Sequence, residues 1–241
     1  MNDELYRFIA GMMKLFLWRG KLVGEENLPR GGPAVFISNH LDATGPIAIP
    51  GSIPMRVYPW VIADMMDKEL APIWLQADFV ERQLHLKPPM SWWVARALCR
   101  ISVPLFYSLG CIPVYANNYK RMHTTLDMSM NVLQDGKFLL VYPEDYRLPM
   151  DPVTKMQPFQ HSFVRLGEMY YAVTGDLLEF YPLTIHASGY IVVGKPVVFN
   201  PINPVGLERR RLNAIMEDTI TAMYMQLERG NISGVPTEEK E

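Results

Sequence analysis

The chain has 241 residues, enough for one domain of ordinary size whose core needs no disulfide or metal to hold it. Its 23 Lys and Arg against 25 Asp and Glu leave a net charge of −2, without the basic excess that is typical of nucleic-acid-binding proteins. Cys99 and Cys111 lack metal-site spacing, and we expect them to be reduced, buried side chains in a cytosolic setting. Asp3 and Glu4 precede the first apolar stretch, so no secretory signal is predicted.

The first segment, 1–22, is predicted to hold an amphipathic helix. Large apolar residues recur at helical spacing between Leu5 and Trp18, and Lys and Arg flank them. This composition suits a helix half sunk into a lipid surface. The same pattern also fits a helix packed against the protein's own core, and the sequence leaves both interpretations open.

The next notable stretch delivers a histidine. The apolar run 34–37 follows the breaker Gly31-Gly32-Pro33 and ends in Ser38-Asn39-His40, which predicts a short buried strand. Ligands of α/β proteins bind beyond the carboxyl ends of strands, and a histidine there is a candidate general base. The competing interpretation is that His40 caps a turn.

Further along the chain, strands and helices are predicted to alternate. A second motif-bearing strand, 138–142, is followed by Pro143-Glu144-Asp145-Tyr146-Arg147. The other predicted strands cover 58–62, 111–115, 180–185 and 191–199, and the predicted helices cover 91–109, 117–134, 159–172 and 205–227. This alternation predicts an α/β domain over 23–229, with a mixed sheet flanked by helices, and a polar tail over 230–241.

Within the predicted helix 91–109, paired tryptophans lie close to two arginines. Trp92, Trp93, Arg96 and Arg100 suit the level of lipid headgroups, where amphipathic rings settle. The alternative is a buried helix with two snorkelling arginines.

The two strand-end motifs resemble those of glycerolipid acyltransferases of the lysophosphatidic acid acyltransferase type. That family carries Asn-His-x-x-x-x-Asp after one strand and Phe-Pro-Glu-Gly-Thr-Arg after a later one. Here Asn39-His40 and Tyr142-Pro143-Glu144-x-x-Arg147 match, and 110–114 and 181–185 resemble further blocks. The resemblance spans roughly residues 20 to 200. It implies a glycerol-3-phosphate acyltransferase-like fold.

The sequence departs from the family pattern at the motifs themselves. The family's aspartate falls on Gly45, and the glycine of its Pro-Glu-Gly falls on Asp145. Three possibilities follow for the carboxylate that would orient His40: Asp42, Asp145, or none. The last would make the chain a catalytically inactive homologue that binds lipid or acyl chains.

The resemblance also implies roles and partners. His40 would be the general base, without an acyl-enzyme, in transfer of a fatty acyl group from acyl-CoA or acyl carrier protein to a hydroxyl of a lipid-like acceptor. Asn39, Glu144, Arg147 and Gly110 would help to bind substrate. Asp145 adds negative charge there, so a headgroup less acidic than lysophosphatidic acid fits better. We expect no cofactor or metal beyond the acyl co-substrate, no nucleic acid, and a peripheral position on the inner face of a membrane.

Overall fold

The computed structural model describes residues 3–16, 20–41, 45–115 and 118–230, and these contain a sheet flanked by helices. The strands are β1 Lys21–Val23, β2 Ala34–Ser38, β3 Val57–Ile62, β4 Ile112–Val114, β5 Phe138–Val141, β6 Glu179–Ile185, β7 Tyr190–Val193 and β8 Val197–Val198. The helices are α1 Asp3–Phe16, α2 Gly45–Ser52, α3 Ala71–Trp74, α4 Met90–Leu109, α5 Tyr119–Gln134, α6 Arg165–Thr174 and α7 Val205–Glu228. A π-helical segment, Leu75–Glu81, extends α3.

The strands form one mixed sheet in the order β1-β7-β6-β2-β5-β3-β4. The five from β6 to β4 are parallel to one another, whereas β7 runs antiparallel to β6. The short β8 also pairs with β6, at its beginning. The predicted mixed sheet flanked by helices is therefore confirmed, and its parallel centre brings several carboxyl strand ends to one edge.

Burial of both faces explains why β2 is a continuous apolar run. Val35 and Ile37 pack into the larger core cluster, which α5, α6 and α7 cover. Ala34 and Phe36 point to the other face and pack against Ala48 of α2. Because side chains alternate along a strand, a helix layer on each side requires apolar residues at every position.

Two predicted elements differ from the structure. The stretch 191–199 is two strands rather than one, because Gly194 bends the chain where its N–H donates to the Pro182 carbonyl at 2.8 Å. A side chain at Gly194 would lie 2.7 Å from the Pro182 ring, so the close approach requires glycine. The helix predicted from Phe159 begins only at Arg165, after a 3-10 turn at His161–Val164, since Phe159 bridges to Glu144.

The first helix packs on the body of the protein. Tyr6 of α1 is buried with Met66, Leu109 and Cys111, and its hydroxyl accepts from the Val57 N–H at 3.3 Å. The boundary drawn after residue 22 falls inside β1, which pairs with β7. Lipid contact by α1 stays a prediction, and no helix in the described ranges has the length and hydropathy needed to cross a membrane.

Candidate active site at the strand ends

The two sequence motifs meet at the same edge of the sheet. β2 and β5 are parallel neighbours, and Ile37 is in register with Val141. His40 and Glu144 each come three residues after these partners, so both leave the sheet beyond its carboxyl edge. The topology therefore places the histidine and the Pro143-Glu144 motif in the crevice where α/β folds bind ligands.

Asn39 fixes the exit of β2. Its side-chain amide donates to the Ile185 carbonyl at 2.9 Å and accepts from the Ile185 N–H at 2.8 Å. The residue is buried, and both polar atoms of its amide are used in these bonds. Asn39 thus locks β2 to β6 and so determines where the next residue, His40, lies, while substrate contact by Asn39 stays a prediction.

Glu144 braces the same exit from the other side. One carboxylate oxygen accepts from the His40 N–H at 2.7 Å, and the other accepts from the Gln157 N–H at 2.8 Å. Hydrogen bonds from main-chain N–H groups to a carboxylate are charge-assisted and strong. Glu144 thus ties the His40 main chain to the loop after β5. His40 itself is exposed at the rim of the crevice.

Tyr142 supports the ring of His40. The two rings contact edge to face, with centroids 5.1 Å apart, and the Tyr142 hydroxyl donates to the Gly45 carbonyl at 3.0 Å. Burial raises the pKa of Tyr142 well above its usual value, so the phenol remains a proton donor. Tyr142 belongs to the motif that resembles the family's, but no role was predicted for it, although a tyrosine where the family has phenylalanine was a usable signal.

Gly45 allows the chain to close tightly behind His40. A Cβ built on Gly45 would overlap the His40 carbonyl oxygen and lie 2.8 Å from the carbonyl carbon. Between them Leu41 has a positive φ of 41°, a conformation that costs a non-glycine residue energy and is concentrated at functional sites. The family's aspartate therefore has no space at this position in the present main-chain arrangement.

No family model and no curated protein matches the sequence. Among solved structures, the crystal structure of the 1-acyl-sn-glycerophosphate (LPA) acyltransferase PlsC from Thermotoga maritima is similar, with a TM-score of 0.54 at 13% sequence identity. The match covers 94% of this chain and 82% of that one. The chain has the fold of that acyltransferase. The predicted fold is confirmed, whereas an identity this low carries no site residue from one chain to the other.

Within the candidate site, Asp145 has a local partner. Its carboxylate accepts from Nε and a terminal nitrogen of Arg147, each at 2.7 Å, and from the Arg147 N–H at 3.1 Å. Arg147 thereby lowers the pKa of Asp145 to about 2. Because its oxygens are occupied in this way, the geometry favours Asp145 as a loop-fixing residue over a partner for His40.

Gly110 lies away from the strand-end crevice. It ends α4 with a positive φ of 80° and packs against the ring of Tyr58, where a Cβ would be 2.9 Å from ring carbons. Tyr58 is in register with Leu139, which pairs with Val35, near the start of β2. The structure thus does not bring Gly110 beside His40, and Asp42 lies outside the described residues.

A second histidine lies near this edge but has a different environment. His186 follows β6, is buried, and its ring bonds to Ser188 at 2.6 Å and Glu228 at 3.1 Å. It also packs edge to face on Tyr224 of α7, with centroids 4.6 Å apart. Both ring nitrogens are engaged within the protein, so His186 serves the packing of α7 and is less accessible to a substrate than the exposed His40.

Proposed function

We propose that the protein is an acyltransferase that moves a fatty acyl group from a thioester donor to a hydroxyl of a lipid-like acceptor. The observation that carries this proposal is the placement of His40 at the rim of the strand-end crevice, braced by Glu144 and Asn39. The shared fold with a lysophosphatidic acid acyltransferase adds support. His40 would take the proton of the acceptor hydroxyl as it attacks the thioester carbonyl, with no acyl-enzyme formed. The thiolate of the donor leaves with the displaced electron pair.

Asp42 is our candidate for the carboxylate that orients His40. The alternative, Asp145, already accepts three donors from Arg147. In a helix, the side chains of residues two apart point to different sides. Leu41 has a positive φ of 41° and so is not helical, which removes this objection to a contact between residues 40 and 42. We expect Asp42→Asn to lower the acyl-transfer rate strongly, because an oriented imidazole is the better base. Asp145→Asn is the matched control and should affect mainly stability.

Arg147 is our candidate for contact with the acceptor headgroup or the donor phosphates. Its guanidinium side chain remains 56% exposed while it pairs with Asp145, so further donors face solvent. The paired carboxylate offsets part of its charge, which supports an acceptor less acidic than lysophosphatidic acid. We propose acyl-CoA or acyl carrier protein as donor, no further cofactor, and a cytoplasmic, peripheral position at a membrane surface where such acceptors lie.

The test is thiol release from long-chain acyl-CoA or acyl carrier protein, with a panel of detergent-dispersed lysolipids and long-chain alcohols. We expect release that depends on the acceptor, with no burst of thiol when acceptor is omitted. A burst would instead indicate an acyl-enzyme.

Absence of release with both donor types would contradict the enzymatic proposal. If acyl-CoA or lysolipid still bound under those conditions, the inactive lipid-binding homologue would be the better description. The observation that favours this second function is the glycine at position 45, where the family has aspartate.

A further inference from the structure

The chain has a long stretch without negative charge, and α4 is its main element. Between Glu81 and Asp127 the sequence contains no Asp or Glu, although Asp and Glu number 25 in the whole chain. The charged residues of α4 are Arg96 and Arg100, both on its solvent side. Glu81, which bounds the stretch, accepts from Gln76 and from Ser91 within the helical hairpin.

α4 pairs with α3 and its π-helical extension to form this hairpin. Ala71 and Leu75 pack against Cys99 and Val103 of α4, which leaves the opposite side of α4 uncovered. Asp78 is exposed on the adjoining extension, so the purely basic character is confined to α4 itself.

The uncovered side of α4 is apolar as well as basic. Met90 is 58% exposed, Trp93 68% and Ile101 69%, and Tyr107 is exposed too. Met90, Trp93, Arg96 and Arg100 follow one another at intervals of three and four. Ile101 lies eight residues after Trp93 and Tyr107 seven after Arg100, so all six share one side of the helix; we name this set the α4 face. Large apolar side chains beside arginines on an exposed helix are the pattern of helices that lie in a lipid interface.

The hairpin also reaches the rim of the candidate active site. Trp74 of α3 contacts Tyr146 edge to face, with centroids 6.1 Å apart, and Tyr146 is two residues from Glu144. The loop that follows exposes Leu148, Met150 and Val153. Apolar surface is thus exposed on the hairpin and on the loop beside the crevice.

We propose that the α4 face docks on an anionic lipid surface and so presents the strand-end crevice to membrane-borne substrate. The proposal deepens the proposed function, because a lipid-like acceptor is what such docking would supply, but vesicle binding is measured without any turnover. Arg96 and Arg100 would contact anionic headgroups, while Trp93 and Ile101 enter the boundary between headgroups and acyl chains.

The experiment is sedimentation of the full chain with vesicles of phosphatidylcholine alone and of equal parts phosphatidylcholine and phosphatidylserine. We expect tighter binding to the mixed vesicles, weakened by added salt. The double variant W93S/I101S should bind both kinds of vesicle about tenfold more weakly or worse. R96Q/R100Q should lose about 25-fold on the mixed vesicles, and little on phosphatidylcholine alone.

Matched controls come from α7 and the turn before it. Ile202 and Leu207 are exposed apolar residues, and Arg210 is an exposed arginine, so I202S/L207S and R210Q should bind like the wild type. The proposal is overturned if wild-type protein fails to bind the mixed vesicles, or if the α4 variants bind as wild type does. If the α4 variants bound as wild type does and F8S/M12S abolished binding, docking would be assigned to α1 instead. Acyl transfer to a detergent-dispersed acceptor needs no docking on vesicles. Transfer that persists while vesicle binding fails would therefore overturn the docking proposal alone and leave the proposed function standing.

Discussion

Gly45 and His40 constrain each other through the main chain. Because a Cβ at residue 45 would overlap the His40 carbonyl, its addition must displace the turn that carries the histidine. The hydroxyl of Tyr142 holds the Gly45 carbonyl, which limits how far the helix can retreat. The glycine at this position is therefore part of the construction of the site, and restoring the family's aspartate alone is not expected to restore a family-like site.

We predict that Gly45→Ala lowers stability by about 1 to 3 kcal/mol, the usual cost of forcing atoms into a packed position. Acyl-transfer activity should fall more than stability alone explains, since His40 moves with the turn. Chemical denaturation and thiol release on the same preparation measure the two effects. Gly11→Ala is the matched control, because a Cβ there meets nothing within 4 Å. Unchanged activity and stability in Gly45→Ala would show that the turn adapts without cost.

The Asp145–Arg147 pair makes a pH-dependent contribution to stability. The pKa of Asp145 is lowered to about 2 in the folded protein, against about 4 in an unfolded chain. A lowered acid pKa contributes stability that is fully present above the unfolded value and is lost as pH falls toward the folded one. We predict that Asp145→Asn lowers Tm by about 2 to 4 °C at neutral pH.

That difference in Tm should stay constant down to about pH 4 and narrow below it. Thermal unfolding of the wild type and Asp145→Asn across this range is the measurement. If the difference in Tm instead widened as pH falls, the ion pair with Arg147 would not be the source of the stability that Asp145 provides.

At the level of elements, Glu144 links the exits of two parallel strands. One side chain joins the main chain after β2 to residue 157, which lies near the end of the loop after β5. The same loop returns to the sheet where the Gln160 N–H donates to the Pro143 carbonyl at 2.8 Å. The loop is therefore anchored at both ends beside His40, so its geometry and that of the histidine are coupled.

We predict that Glu144→Gln costs about 1 to 3 kcal/mol in unfolding free energy, because an amide can accept from only one of the two N–H groups. Urea denaturation measures this cost, and Glu26→Gln, at an exposed glutamate, is the control. If Glu144 served substrate alone, Glu144→Gln would change activity without changing the free energy of unfolding.

Elements with a strong pattern could be predicted from the sequence, and short ones could not. The buried runs of β2, β5 and β6 and the long periodic helices α4, α5 and α7 fall close to their predicted positions. β1 and β8 have three and two residues, too few to show an alternation of apolar and polar side chains. The π-helical extension of α3 has no sequence signature of its own, and it was not predicted.

For the whole molecule, the order of the motifs predicted that they share one edge of the sheet, but it did not predict which side chains are hydrogen-bonded there. Two parallel strands ending in Asn39-His40 and Pro143-Glu144 must meet at one edge, and the observed topology agrees. The bonds of Asn39 to Ile185 join residues 146 positions apart, which no local pattern encodes. The Asp145–Arg147 pair is local, but a sequence alone does not tell whether a carboxylate faces an arginine or a histidine.

The shape of the fold also limits how many groups can act as base. His186 is at the same edge but is turned into the α7 layer, whereas His40 remains at the rim. His40 is therefore the histidine at this edge that a substrate can reach.

The most direct test is the rate of acceptor-dependent thiol release by His40→Asn, measured beside the wild type and His85→Asn. His85 is an exposed histidine with a positive φ of 54°, which asparagine tolerates, so its replacement should leave the rate unchanged. We predict that His40→Asn lowers the rate by about 10²- to 10⁴-fold, the usual contribution of a general base, with unchanged thermal unfolding. A His40→Asn protein that releases thiol as fast as the wild type would contradict the assignment of His40 and, with it, the proposed mechanism.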